Sequence, residues 1–116
     1  MLYDIVNFNL LLKSIFSASL IVFFLSIDGS IFYYFYNSYG YFLLNQDRVD
    51  EAIKKFKKQV SLAPEEANPY DSLGEAYRIK GMLDESLKEY QKAFSISPSD
   101  RVEEIIEELK EEISTN

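Results

Sequence analysis

Residues 68–81 read Asn68-Pro69-Tyr70-Asp71-Ser72-Leu73-Gly74-Glu75-Ala76-Tyr77-Arg78-Ile79-Lys80-Gly81, and this stretch decides the fold. Asn68 suits an N-cap and Pro69 a first helical position, where its missing N–H costs nothing. Tyr70, Leu73, Ala76 and Tyr77 then fall three or four apart, which gives a helix one apolar face. Lys80-Gly81 is a basic last turn followed by a C-terminal glycine. Beyond it, Leu87, Tyr90 and Phe94 mark a second helix that begins near Asp84 and stops ahead of Pro98.

The same text occurs once more, thirty-four residues upstream. Laying 33–66 over 67–100 pairs Tyr36 with Tyr70, Ser38 with Ser72, Gly40 with Gly74, and Asp50-Glu51 with Asp84-Glu85. It also pairs Lys54 with Lys88, Lys58 with Lys92, Ser61 with Ser95 and Pro64 with Pro98. A fixed period of this length marks a stacked array of one supersecondary unit. In the first unit, Val49, Ile53, Phe56 and Val60 supply the second helix, which stops before Pro64. Each unit is thus an antiparallel pair of helices of about a dozen residues, a helix-pair array.

These residues resemble the tetratricopeptide repeat, whose pattern runs W-x2-L-G-x2-Y, A-x3-F, P. Tyr70, Leu73, Gly74 and Tyr77, then Ser86, Tyr90 and Pro98, stand at its positions in the second unit, with Ser86 departing from the usual Ala but still small. Tyr36, Tyr39, Gly40 and Leu43, then Ala52, Phe56 and Pro64, follow it in the first, with Tyr39 and Leu43 departing from the usual types. The expected fold is all-α: antiparallel helix-pair repeats at 33–66 and 67–100 in a short α-solenoid, with an apolar N-terminal segment at 1–32 and a capping helix at 101–116. Gly40 and Gly74 sit in mid-helix, at about 1 kcal/mol each relative to Ala. That cost is tolerable if it lets a partner helix approach, with Ala52 and Ser86 facing the gap and Phe56 and Tyr90 closing it. Asp100-x-x-Glu103 opens the cap in the manner of a capping box. Val102, Ile105, Ile106, Leu109 and Ile113 form its apolar side, and Glu103, Glu104, Glu107, Glu108, Glu111 and Glu112 its wet side.

Composition removes most chemistry. The 116 residues contain no Cys and no His, so disulfides, thiol and imidazole catalysis and ordinary zinc sites are excluded. The net charge of −7 disfavours nucleic acid, which needs a basic footprint. There is no Ser-x-x-Lys, no G-x-S-x-G elbow and no glycine-rich phosphate loop. Asp47, Asp50 and Glu51 lack the spacing of a calcium loop and suit a helix start. The expectation is a non-catalytic chain with no cofactor and no metal.

What the resemblance implies instead is binding of a protein or peptide on a concave surface lined by the first helix of each unit. The first unit would contribute Tyr34, Asn37, Tyr41, Leu44 and Asn45. The second would contribute Asn68, Asp71, Glu75, Arg78 and Ile79. The family's carboxylate clamp for chaperone C-termini needs Lys and Asn in its first helix. Asn37 and Tyr41 stand there, so that function is not carried over. The repeats also resemble tails that follow catalytic domains in bacterial serine hydrolases of the β-lactamase type. On that alternative, a hydrolase reading frame precedes Met1, whereas an adaptor would be self-sufficient from Met1.

The N-terminal segment differs in kind. Residues 1–46 carry only Asp4, Lys13 and Asp28 as charges, and hold thirteen of the eighteen aromatics. Residues 10–27 would span about 27 Å as a helix, near the ~30 Å of a bilayer's hydrocarbon. The segment reads as a single-pass membrane anchor, and Lys13 as a weak signal that the N-terminus is inside and the repeats outside. A cleaved signal peptide on a secreted chain, or apolar helices packed on the first repeat in a cytoplasmic one, are the alternatives.

Overall fold

The computed structural model describes residues 2–26 and 29–116, which divide into two units, one up to Ile31 and one from Phe32 onward. Among the described residues six helices follow one another: α1 (Leu2–Ser26), α2 (Gly29–Leu44), α3 (Val49–Leu62), α4 (Ala67–Lys80), α5 (Leu83–Ile96) and α6 (Asp100–Thr115). There is no strand among the described residues. The fold is all-α, built from helix-pair repeats.

In the first unit, α1 exposes Phe8, Leu10, Leu11, Leu12, Ile15, Phe16, Leu20 and Ile21. At 100° per residue these point to all sides, so among the described side chains the apolar residues are not confined to one face. The expectation of a membrane anchor over residues 10–27 is nevertheless overturned. Among the described residues no helix is long and apolar enough to cross a membrane. Asn7 and Asn9 lead into the apolar run, and Lys13, Ser14, Ser17 and Ser19 interrupt it. Ile27, the last residue of the expected span, lies outside the described residues. The inside–outside orientation assigned from Lys13 falls with the anchor.

In the second unit each helix packs on the next. Leu43, Ala52, Ile53, Phe56, Leu73, Ala76 and Tyr77 form one core, joining α2, α3 and α4. Tyr90, Val102, Ile106 and Leu109 form another, joining α5 and α6. The glycines act as expected. A Cβ on Gly40 would lie 2.5 Å from the Phe56 ring, and one on Gly74 2.9 Å from the Tyr90 ring. Ser86 does more than fill a small space, because its buried hydroxyl donates to the Gly74 carbonyl at 2.7 Å. Tyr70 donates to the Pro64 carbonyl at 2.9 Å and so pins the end of the first repeat to the start of the second. Gln59 is fully buried, and neither atom of its amide has a hydrogen-bond partner among the described residues.

The turns repeat with the same period. Gly81 (φ 81°) ends α4, with its N–H on the Arg78 carbonyl and that of Met82 on the Tyr77 carbonyl. This crossed pair is a Schellman motif, which needs a left-handed residue. Thirty-four residues earlier, Asp47 (φ 57°) follows α2 with the N–H of Asp47 on Leu44 and that of Arg48 on Leu43. Two helix starts differ from the sequence reading. Glu66, in extended geometry, precedes α4, and Pro69 is the third helical residue. Its missing N–H still costs nothing, since none of the first four has an intrahelical partner. Ser99, one residue before the expected Asp100, caps α6 by accepting from the Val102 N–H.

Candidate functional site

The first helix of each repeat, and α6 after them, present one stripe of side chains to a common face. On α2 the stripe includes Asn37 and Tyr41, on α4 Asp71, Glu75 and Arg78, and on α6 Arg101, Ile105, Glu108 and Glu112. Contacts between neighbouring helices establish the shared side. The Tyr41 hydroxyl lies 3.0 Å from Glu75 Oε2 and 3.1 Å from Ser72 Oγ. Its single proton goes to the carboxylate, the stronger acceptor. Ser72 Oγ also lies 3.4 Å from Asn37 Oδ1. Across the other side of α4, Asp71 pairs with Arg101, and Arg78 pairs with Glu108 at 3.0 Å and Glu112 at 3.7 Å.

Of the ten residues expected on this face, Asn37, Tyr41, Asp71, Glu75 and Arg78 are joined by these contacts. Asn68 donates to the Tyr33 hydroxyl at 3.1 Å instead of capping α4. Leu44 packs against the α2–α4 core. Tyr34 and Ile79 are exposed, and so is Asn45, just past the end of α2. Between α4 and α6 lies a depression of about 400 Å³ lined by Glu75, Arg78, Ile79, Tyr90, Arg101 and Ile105. Tyr90 forms its floor and is almost fully buried.

Burial and the nearby carboxylates set the electrostatics. The Tyr90 hydroxyl is pushed far above the ordinary phenol range, first by burial and then by Asp71 and Glu75. Burial raises Tyr41 as well, and Glu75 and Asp71 add to it. Both phenols therefore stay protonated and can act as donors. Among the described residues no group of His, Cys, Asp or Glu is arranged to hold a metal ion.

The sequence assigned Tyr90 to the helix-pair gap and Ile105 and Glu108 to the apolar and wet sides of the cap, and gave Ser72 and Arg101 no place on this face. The missed signal was the register itself. Carried forward one more period, Asp71 falls on Ile105 and Arg78 on Glu112, so α6 occupies the place of a third unit's first helix.

A helix-pair repeat with an exposed face built from successive first helices is the class of protein that this arrangement defines. Comparison with protein families matches the tetratricopeptide repeat twice, over residues 33–66 and 67–100. The chain belongs to the tetratricopeptide repeat family, whose members in general mediate protein–protein binding and are non-catalytic. No curated protein matches the chain.

Proposed function

We propose that the chain is a protein-binding scaffold that seats a segment of a partner on the face of α2, α4 and α6. The observation that carries this reading is the row of contacts Tyr41–Glu75, Asp71–Arg101 and Arg78–Glu108, which holds three helices' stripes on one side beside an open depression. Such a face supplies preformed polar groups around an apolar floor, as binding sites generally do. The serine-hydrolase alternative has no observation in its favour.

The test uses a partner captured on the immobilised chain, identified by mass spectrometry and then titrated by calorimetry. Tyr41→Ala and Arg78→Ala should each weaken binding by roughly tenfold, equivalent to about 1.4 kcal/mol. Lys58→Ala, at an exposed position of α3, should leave it unchanged. Equal loss in all three, or loss with Lys58→Ala alone, would overturn the reading.

A further inference from the structure

The charges on this face are not balanced, and the imbalance selects a ligand. Arg101 is matched by Asp71, and Arg78 by Glu108 and Glu112. Glu75 lines the same depression, yet among the described residues its side chain is hydrogen-bonded to the neutral Tyr41 phenol alone and forms no ion pair. The Tyr41 hydroxyl stands beside it, and Ile79 and Ile105 supply apolar wall.

Resting on the concave-face reading, we infer that the face takes a basic segment of a partner, with an Arg or Lys side chain on Glu75 and an aliphatic side chain in the depression against Ile79, Ile105 and Tyr90. An acidic segment is disfavoured by competition. It would have to displace Asp71, Glu108 or Glu112 from the arginines, and these acids are tethered in place at high effective concentration. A cation displaces nothing. It meets a half-buried carboxylate, which favours a guanidinium or ammonium group through a charge-assisted hydrogen bond. At longer range the chain's net charge of −7 attracts the same class of ligand. Glu75 and Ile79 are one turn apart, about 6 Å along α4. An extended peptide covers that distance in about two residues, so the cation and the aliphatic side chain should be two positions apart.

The probes are three fluorescein-labelled peptides, each of three copies of Gly-Arg-Gly-Leu, Gly-Gln-Gly-Leu or Gly-Glu-Gly-Leu, titrated with the full chain and followed by anisotropy. The Arg peptide should bind at least about tenfold more tightly than the other two. Glu75→Gln keeps an acceptor for Tyr41 and should cost about tenfold for the Arg peptide alone, with the thermal unfolding curve unchanged. Glu107→Gln, on the side of α6 away from the depression, should change nothing. Tightest binding of the Glu peptide, or no binding of any peptide, overturns the inference. So does Arg-peptide binding that is indifferent to Glu75→Gln, or that Glu107→Gln weakens as much as Glu75→Gln does. If the Gln peptide binds as well as the Arg peptide and Tyr41→Ala abolishes both, the basic preference is wrong while the concave face stands. If Tyr41→Ala leaves both unchanged, the concave face fails too.

Discussion

Gly40 meets the harder of the two ring contacts. The Phe56 ring that a Cβ there would strike is fully buried, so it has no room to retreat. Alanine would gain about 1 kcal/mol of helix propensity, but overpacking of this kind costs about 1–3 kcal/mol. Gly40→Ala should therefore lower stability in circular-dichroism thermal unfolding, and by more than Gly74→Ala, whose contact is looser. A gain in stability would mean that α2 does not approach α3 this closely. Asp47 and Gly81 pose the opposite question, since they hold the same left-handed position in their repeats. A non-glycine residue pays roughly 1–2 kcal/mol there. Asp47→Gly should raise the unfolding midpoint and Gly81→Ala should lower it, read by the same melts. Both glycine roles were legible in the sequence, one as a mid-helix identity and the other as a helix stop. The left-handed Asp47 was not, because its side chain gives no sign of φ, although alignment with Gly81 would have exposed it.

At the scale of elements, α6 completes the array. Leu109 is fully buried between α5 and the rest of the cap, with Val102 and Ile106 beside it. Leu109→Ala removes buried methyl groups and leaves a cavity, at a cost of about 2–5 kcal/mol. Glu104→Ala, exposed on the same helix, should stay within ±0.5 kcal/mol. Chemical denaturation of the two variants separates them, and equal midpoints would mean that α6 does not cap the array. The helix pairs and the cap could be read from period and apolar spacing, because burial of one stripe imposes both. Helix starts could not be placed as well. Asn68 looks like a cap but bonds Tyr33, and Ser99 does the capping one residue before the acid that resembled it. The face was half legible for a related reason. Which side of a helix points inward follows from the repeat, but the partners of Asp71 and Arg78 lie thirty residues away on α6. For α1, counting apolar residues gave a span, while Lys13 and the serines within the run weaken it as a membrane helix.

Over the molecule as a whole, the raised phenols link stability to high pH. An unfolded tyrosine ionises near pH 10, whereas burial lifts both Tyr41 and Tyr90 above that value in the folded chain. Their contribution is fully present below about pH 10 and is lost as pH rises through the folded values. The thermal midpoint should hold steady from neutrality to about pH 10 and then fall. Tyr90→Phe, which cannot ionise, should reduce that fall, and an unchanged alkaline profile would mean that the ring is not sealed beneath α6. The distribution of burial has a different consequence. Seven residues of α4 are buried, against four in α3 and three each in α5 and α6. In an array whose members are coupled mainly to their neighbours, opening starts at the ends and works inward. Amide protons of α4 should then be the last to exchange with solvent, which would make the helix that carries Glu75 and Arg78 the one whose geometry survives when the edges fray.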